Sequence, residues 1–555
     1  MSSGSRTLRS VAWRRVERIL ALVLLLAVAA AVTESVGAAS ELRVGIPRLP
    51  PRLDPAIAAA GPERMLFHLL FQGLVEFGER GDIQPALATQ WEVSRDGLMW
   101  TFRLRPDGRF HNGVSLTPDI AVASLARHRA PLASDDPLAR DPPAWATICR
   151  GPSALVREVR RGEPGTVQIL LKTPFSPLLA VLAHPALAIV LTESDSEVPF
   201  IGTGPYRVRE RTAGRVLLER APSSHAEPPR TERIAFHEIA DDAAGIGGLS
   251  PQGILDVYFP QAPPAWAGLG LQVLTAPTWQ VGMLALRSDD GLLAQKAVRQ
   301  AIAASLDPAL LQPALGPWAV PRRTLVPPGV WAARDVASAT HDPIRARRLL
   351  GENRVTSPTL TLLVPEARSG PEPARLADAI RISLAVSGVT VQVRAEAGDA
   401  YFRALRQGEA GLALHETPLE INDAHFTLKP LLASDVAVRG IATNVAFYRS
   451  LFVDNLLLRA GQLAFRPERL RLYHRLQAHV ADELPYIPLY ARLQWAMGRP
   501  TVRDLGLDPG GRHRLDLVWL PIPPASAPTS IPSPPAPPAL PAPALPAAPP
   551  VGSPQ

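Results

Sequence analysis

The sequence contains almost no cysteine and almost no lysine. Cys149 is the only cysteine among 555 residues, and the only lysines are Lys172, Lys296 and Lys429, so nearly every basic side chain is an arginine. A single thiol excludes an internal disulfide and any metal site built from several cysteines. We expect Cys149 to be a buried, small apolar residue, because unpaired cysteine is among the most buried residue types.

Recognisable catalytic motifs are also missing. His237-Glu238 and His415-Glu416 lack the second histidine, four residues later, that a zinc-protease helix needs. No glycine-rich loop ends in Gly-Lys-Ser or Gly-Lys-Thr, the usual phosphate cradle. The sequence therefore predicts a protein that is not an enzyme, with no catalytic residue, no metal site and no cofactor. A hydrolase outside the cytoplasm stays open, because catalytic groups can converge from distant positions.

The net charge of +7 does not indicate a nucleic-acid partner. The arginines are scattered, whereas a phosphate-binding face concentrates basic residues and interleaves them with aromatics. An apolar fraction of 46% with 20% charged residues is typical of a globular chain, and the length allows two or three domains. We expect no nucleic acid to bind.

Both ends of the chain differ from its middle. Five arginines precede an apolar run at 19–32, and small residues follow it, which predicts a secretory signal peptide over residues 1–40. The run of 14 residues is shorter than the ~20 that span a bilayer, which favours cleavage. An uncleaved anchor is the alternative. No cysteine near the cleavage region could accept a lipid, which predicts a soluble periplasmic product. Residues 521–555 contain 15 prolines and no charge, which predicts a disordered, Pro/Ala-rich tail.

Alternating patterns in the middle predict strands and helices. WEVSRDGLMWTFRLRPDGRFHNGVSLT (91–117) places Asp-Gly and Asn-Gly turns around the alternating run 99–104, which predicts hairpin, strand, hairpin with Trp100 and Phe102 in a core. Strand 359–364, helix 374–386 and strand 389–393 predict a β-α-β crossover in a parallel sheet. Further predicted elements are helices at 63–74, 296–306 and 466–484 and strands at 155–159 and 167–171.

The 91–117 stretch closely resembles the signature of the family 5 extracellular solute-binding proteins, the oligopeptide, dipeptide and nickel receptors of bacterial ABC importers. The resemblance covers roughly residues 41–520. Further elements of the same family follow in order along the chain: Leu53-Asp54-Pro55, Gln84–Ala88, Gly202-Thr203-Gly204-Pro205-Tyr206, Val298–Ile302, Asp342-Pro343, Phe447-Tyr448 and Pro485–Tyr490.

The resemblance implies an α/β, two-lobed fold of the periplasmic binding protein type II kind, with a large insert in the first lobe and a hinge-closing cleft. Lobe I would comprise residues 41–275 with an inserted subdomain at about 81–195, and the chain would return to it at 487–520. Lobe II would comprise residues 276–486.

The resemblance also implies where a solute binds. Peptide-binding members capture the α-ammonium of the peptide with an Asp three residues after a Gly-Trp pair; here Glu416-Thr417 replaces that pair and Glu420 replaces the Asp. Asp423 and His415 are weaker candidates. Backbone contacts are expected in the loop Ala59-Ala60-Gly61.

The predicted function is therefore a periplasmic receptor that captures a peptide or peptide-like solute and delivers it to an ABC permease complex in the inner membrane. We expect a monomer. Two alternatives stay open: a sensor without a transport role, and a non-peptide solute such as a metal complex, haem, an opine or a sugar.

Overall fold

The computed structural model describes residues 41–57, 63–78, 81–130, 143–151, 154–193, 200–222, 228–264, 270–336, 340–367, 369–417 and 419–521. Residues Ala38–Leu520 form one compact unit. The predicted signal peptide at 1–40 and the predicted tail beyond Pro521 lie outside the described residues.

The described part of the chain contains both strands and helices. The strands are β1 Glu41–Ile46, β2 Val75–Phe77, β3 Ile83–Pro85, β4 Ala88–Val93, β5 Met99–Leu104, β6 Val156–Arg161, β7 Thr166–Leu171, β8 Leu191–Thr192, β9 Phe200–Ile201, β10 Tyr206–Thr212, β11 Arg215–Arg220, β12 Arg233–Glu238, β13 Val257–Tyr258, β14 Gln272–Leu286, β15 Ala319–Pro321, β16 Thr359–Pro365, β17 Thr390–Glu396, β18 Leu412–Thr417 and β19 Tyr486–Gly498. The helices are α1 Glu63–Leu70, α2 Pro118–Ala126, α3 Ala144–Cys149, α4 Leu178–Leu182, α5 Asp242–Gly248, α6 Lys296–Ser305, α7 Pro308–Leu315, α8 Pro343–Glu352, α9 Pro373–Val386, α10 Gly398–Gln407, α11 His425–Leu432, α12 Leu451–Gln462 and α13 Arg466–Glu483.

One large sheet connects the two lobes, with the order β10-β11-β12-β1-β13-β19-β14-β18-β16-β17 and with β15 beside β19. We call the β10-to-β13 side, with the segments packed on it, lobe I, and the β18-to-β17 side lobe II. The long antiparallel strands β14 and β19 belong to both sides, because β13 pairs with one end of β19 and β18 with the opposite end of β14. Their register shifts between Pro277 and Val281, where a proline interrupts the ladder.

The crossover predicted at 359–393 is confirmed. β16 and β17 pair in parallel over their whole length, and α9 connects them. Leu376, Ile380 and Leu384 of α9 are fully buried in a cluster on that face of the sheet, so the helical spacing read from the sequence does cover the sheet.

The stretch 91–117 belongs to a separate sheet in lobe I, with the order β4-β5-β7-β6. The first predicted hairpin is confirmed, since β4 and β5 pair antiparallel across a turn in which Gly97 has a φ of +72°. The second is only an isolated bridge, Arg109 to Ser115, because β5 takes its other partner from β7. Trp100 and Phe102 are buried and stacked on each other, as predicted.

Cys149 lies in the same core and is 9% exposed. Burial raises the pKa of its thiol to about 12, so the side chain acts as a small apolar residue, as predicted.

The Gly-Thr-Gly-Pro-Tyr element packs against the end of α1. A β-carbon at Gly202 would lie 1.9 Å from the carbonyl oxygen of Leu70, so the backbones meet too closely for any side chain. The amide of Gly204 donates to that same oxygen at 3.0 Å. This bond replaces the next helical one, and α1 ends at Leu70 rather than at residue 74, where the sequence placed its end.

None of the helices in the described part of the chain is both long and apolar enough to cross a membrane.

Candidate functional site

The loop that follows β18 lies where the two lobes meet. Ile421 is completely buried in the lobe I core that packs on the β4-β5-β7-β6 sheet, although its neighbours in sequence belong to lobe II. The side-chain amide of Asn422 approaches the carbonyl of Gly81 in lobe I at 3.5 Å and accepts a bond from the amide of Trp331 in lobe II at 2.9 Å. The loop is thus a bridge between the lobes.

Glu420, the predicted ammonium anchor, begins this bridge. Its backbone carbonyl accepts a 3.1 Å hydrogen bond from Nη2 of Arg64, which comes from α1 in lobe I. Arg64 is only 6% exposed, and its Nη1 donates to the carbonyl of Gly510 at 2.8 Å. The glutamate and the arginine therefore come from opposite lobes and meet at the junction.

A neutral histidine completes the surroundings of Arg64. Nε2 of His184 lies 2.7 Å from Nη2 of Arg64, and its Nδ1 faces the amide of Ala186 at 3.2 Å. Both ring nitrogens thus face donors; a neutral ring can accept a hydrogen bond at one of them, whereas a cationic ring would set N–H against N–H on both sides. Burial, reinforced by Arg64, accordingly holds the pKa of His184 well below its usual range.

Arg64 carries a positive charge at this point of lobe I, where Asp508 supplies a negative one. Burial lowers the pKa of Arg64, while the carboxylates of Glu420 and Asp508 act in the opposite direction. A buried guanidinium requires hydrogen-bond acceptors on its donors, and here three segments far apart in sequence provide them.

The carboxylate of Glu416 contacts the long strands β14 and β19 that connect the lobes. One carboxylate oxygen accepts from the hydroxyl of Tyr490 at 2.9 Å, and the other accepts from the side-chain amide of Gln280 at 2.9 Å. A β-carbon on Gly282, which pairs with Glu416, would lie 2.1 Å from the ring of Tyr490, so only glycine fits there. These contacts tie β18 to β14 and β19 beside the register shift.

His415 and Thr417 flank Glu416 in β18, opposite Met283 and Val281 of β14. Both are half-buried. Because side chains alternate along a strand, they share the face opposite Glu416. Their predicted role in binding stays a prediction, as does that of Glu416.

Asp423 lies inside lobe II. It is 3% exposed, and Nη2 of Arg469 contacts its two oxygens at 2.8 and 2.7 Å. The amide of His425 donates to the same carboxylate at 2.9 Å, and the guanidinium of Arg469 lies over the ring of Trp331. A solute would have to break this ion pair to reach Asp423, so in the structure the carboxylate stabilises lobe II itself.

Ala59, Ala60 and Gly61 lie outside the described residues. Arg64 and His184 were missed by sequence reasoning, because neither belongs to a motif. The available signal was an arginine directly before an apolar run, Arg64 beside Met65-Leu66-Phe67.

A second contact between the lobes lies beside the first. The amide of Ser176 in lobe I donates to the carbonyl of Gly461 in α12 at 2.7 Å. The ring of Phe175 meets His425 and Phe426 edge-on. A β-carbon on Gly461 would lie 3.3 Å from the ring of His425, which keeps this approach tight.

Known proteins resemble the chain over most of its length. The glutathione-binding protein GsiB of Escherichia coli O1:K1 / APEC is 26% identical over 469 residues, which covers 81% of this chain and 89% of the relative. The structure of HbpA2 from Haemophilus parasuis superimposes with a TM-score of 0.76 at 21% identity, covering 87% of this chain and all of that one. MppA, a periplasmic murein tripeptide binding protein in its unliganded open form, gives a TM-score of 0.75 at 22% identity, covering 87% of this chain and 98% of MppA.

These structures confirm the predicted two-lobed fold. The model of the bacterial extracellular solute-binding proteins, family 5 middle region, matches residues 82–437, which is more than half of the chain. Members of that family are solute-binding receptors. The chain therefore belongs to the family 5 bacterial extracellular solute-binding proteins, as its sequence predicts.

Proposed function

We propose that the protein is a periplasmic receptor that closes its two lobes on a peptide or peptide-like solute and delivers it to an ABC permease. Glu420 binds the ammonium group of the solute. A carboxylate forms strong charge-assisted hydrogen bonds with an amine, especially where closure removes water.

The meeting of Glu420 and Arg64 carries the proposal. Groups of opposite charge reach the junction from different lobes, so the site is complete only when the lobes approach each other. The long strands β14 and β19 run through both lobes, and their register shift at Pro277–Val281 is where a bend is least costly, because ladder hydrogen bonds are already interrupted.

The relatives support a peptide-like solute. GsiB is a glutathione-binding protein, and MppA is a murein tripeptide binding protein. Glutathione and a tripeptide share free ammonium and carboxylate groups on a short amide backbone. The solved structures of AgaA in complex with agropinic acid and of NikA from Brucella suis in complex with Fe(III)-EDTA have the same fold. The fold alone therefore does not select peptides.

Identifying the solute that co-purifies with the protein tests the proposal. The protein would be purified from the periplasm, denatured, and the released small molecules identified by mass spectrometry. We expect a short peptide or peptide conjugate with a free amine, at about one molecule per chain. A co-purified sugar, haem or metal chelate would contradict the peptide proposal and leave the receptor fold intact.

The compartment and the permease belong to the same proposal. Intact-mass analysis of the periplasmic protein should show the loss of about 38–40 residues, since a run of 14 apolar residues is short for an anchor. A full-length mass in a membrane fraction would favour the uncleaved anchor. Gel filtration with light scattering should give a monomer.

A further inference from the structure

Lobe II contains a cavity of about 590 Å³ away from the lobe junction. It lies between two buried apolar clusters, with Leu315 and Leu376 on one side and Leu325 and Val480 on the other. Helices α6, α7 and α13 and strands β15 and β19 contribute to its walls. Its volume falls within the roughly 300–1,000 Å³ that is typical of small-molecule sites, whose walls are also mostly apolar.

The cavity is separate from the interlobe site. Arg64, His184 and Glu420, which meet at the lobe junction, are not among the described residues that line it. Arg323 and His341 line it and are exposed, so the cavity opens to solvent at that end of lobe II. A molecule could therefore enter it without passing through the cleft.

Arg322 lies in the cavity wall directly after β15. Its amide donates to the carbonyl of Leu489 at 3.0 Å, which fixes the backbone beside β19. The side chain is half-buried, and its Nε is buried without a hydrogen-bond partner. Leaving a buried donor without an acceptor is costly, so this wall lacks an acceptor.

Charge in the cavity wall is of one sign. The described residues that line it include Arg322 and Arg323 but no aspartate or glutamate. Arg299, elsewhere in the same lobe, shows how the fold satisfies a buried arginine with its own groups. Arg299 is 3% exposed, and it donates to the carbonyl of Leu293 at 2.9 Å and to the carboxylate of Glu483 at 3.1 Å.

We propose that this cavity is a second binding site, for an amphipathic carboxylate: a molecule with one carboxylate on a hydrocarbon chain or ring. The hydrocarbon part contacts the apolar walls, and the carboxylate accepts hydrogen bonds from the guanidinium of Arg322, whose planar donors match it in pairs. Arg323 adds a second positive charge at the mouth.

Both parts of such a ligand are needed. A small hydrophilic anion would leave the apolar walls uncovered, and a neutral hydrocarbon would leave the Nε of Arg322 without an acceptor. A zwitterion is disfavoured, because the described wall offers no carboxylate for an ammonium group. The cavity therefore selects a different class of molecule from the one we propose for the cleft.

Calorimetric titration with three probes tests the site. Protein refolded from denaturant, which removes bound molecules, would be titrated with octanoate, 1-octanol and butyrate. We expect one octanoate per chain, bound about 10- to 150-fold more tightly than octanol, the range for a charge-assisted hydrogen bond. Butyrate buries four fewer methylene groups and should bind about 100-fold more weakly than octanoate.

Two arginine variants form a matched pair. Arg322→Gln should weaken octanoate about 10- to 150-fold and leave octanol unchanged, so that the two probes bind equally. Arg347→Gln removes an exposed arginine of α8 that does not line the cavity, and it should leave octanoate binding unchanged. Equal losses in the two variants would show a response to net charge alone and would overturn the site.

A variant that fills the cavity locates the binding. Ala481 lines the cavity from α13, and Ala481→Phe should weaken octanoate at least about tenfold by occupying its space. Unchanged octanoate affinity in the folded variant would place the binding elsewhere and overturn the proposal. If the phenylalanine prevents folding, Arg322→Gln decides, because the Nε of Arg322 has no acceptor to lose.

Two results with the wild type would also overturn the inference: no binding of octanoate, and equal affinities for octanoate and octanol. Neither result bears on the proposed receptor function, because that function depends on the cleft and not on this cavity.

Discussion

Two neighbouring carboxylates in the loop after β18 should respond to substitution in opposite ways. Glu420→Gln removes a charge that we propose binds the solute, and Asp423→Asn removes a charge that lobe II uses itself. The hydrogen bond from Arg64 should survive the Glu420 substitution, because its acceptor is the backbone carbonyl of Glu420, which glutamine retains, while the support of the carboxylate for the Arg64 charge is lost. The contact between the lobes should therefore survive while the charge disappears.

The expected magnitudes follow from the surroundings of each group. A charge-assisted hydrogen bond in a closed cleft contributes roughly 1.5–3 kcal/mol, so Glu420→Gln should weaken solute binding ~10- to 150-fold. The free energy of unfolding should fall less than at Asp423, because Arg64 keeps the charge of Asp508 nearby. At Asp423 the ion pair with Arg469 is almost fully buried, with side-chain exposures of 7% for Arg469 and 5% for Asp423. Breaking such a pair leaves a buried charge uncompensated, at a cost of about 3–5 kcal/mol.

Calorimetric titration of the co-purified solute and denaturant unfolding of both variants measure the two quantities. The larger loss of affinity should occur in Glu420→Gln, and the larger loss of stability in Asp423→Asn. Equal affinities for wild type and Glu420→Gln would refute the anchor role of Glu420. A larger loss of affinity at Asp423 would mean that the family's motif aligns three residues further along, and a solute without an amine would remove the basis for either anchor.

Three further predictions concern stability. Gly202→Ala should destabilise lobe I by about 1–3 kcal/mol, because its methyl group collides with a helix carbonyl, whereas Gly247→Ala, in a helix with open space around it, should be neutral or stabilise by about 0.5–1 kcal/mol. Denaturant unfolding of both variants checks this contrast, and similar losses would contradict it. Burial lowers the pKa of His111 and of His513 from 6.5 to about 4, so unfolded chains take up protons first as pH falls. The free energy of unfolding should therefore fall as the pH is lowered from 6.5 to 4, by on the order of 1 kcal/mol per pH unit for each ring. A free energy of unfolding that does not change over this range would refute the prediction. Truncation after Pro521 should leave the Tm unchanged, since the composition of the tail predicts no packed core; a drop of several degrees in a thermal melt would contradict it.

Local patterns in the sequence determined most of the elements. The apolar spacing along 374–386 and the alternation on either side of it were enough to predict a parallel crossover, because each pattern repeats with the period of its own backbone geometry. Asp-Gly at residues 96 and 97 predicted the β4–β5 hairpin for the same local reason, and a succession of motifs predicted the family.

Tertiary structure decided the pairings that join distant residues. The second neighbour of β5 is β7, some sixty residues later, and α1 ends where Gly204 takes over the Leu70 carbonyl. Neither outcome has a local signal, because the competing hydrogen-bond partner comes from another part of the chain.

The candidate site divides in the same way. Counting along the family motif led to Glu420, but 356 positions separate that residue from Arg64, and only the folded chain brings the two together. Asp423 has the same chemistry as Glu420 in the sequence, yet Arg469 holds it inside lobe II. A sequence gives the type of a charged group; its partner and its exposure to water depend on which distant segments pack around it.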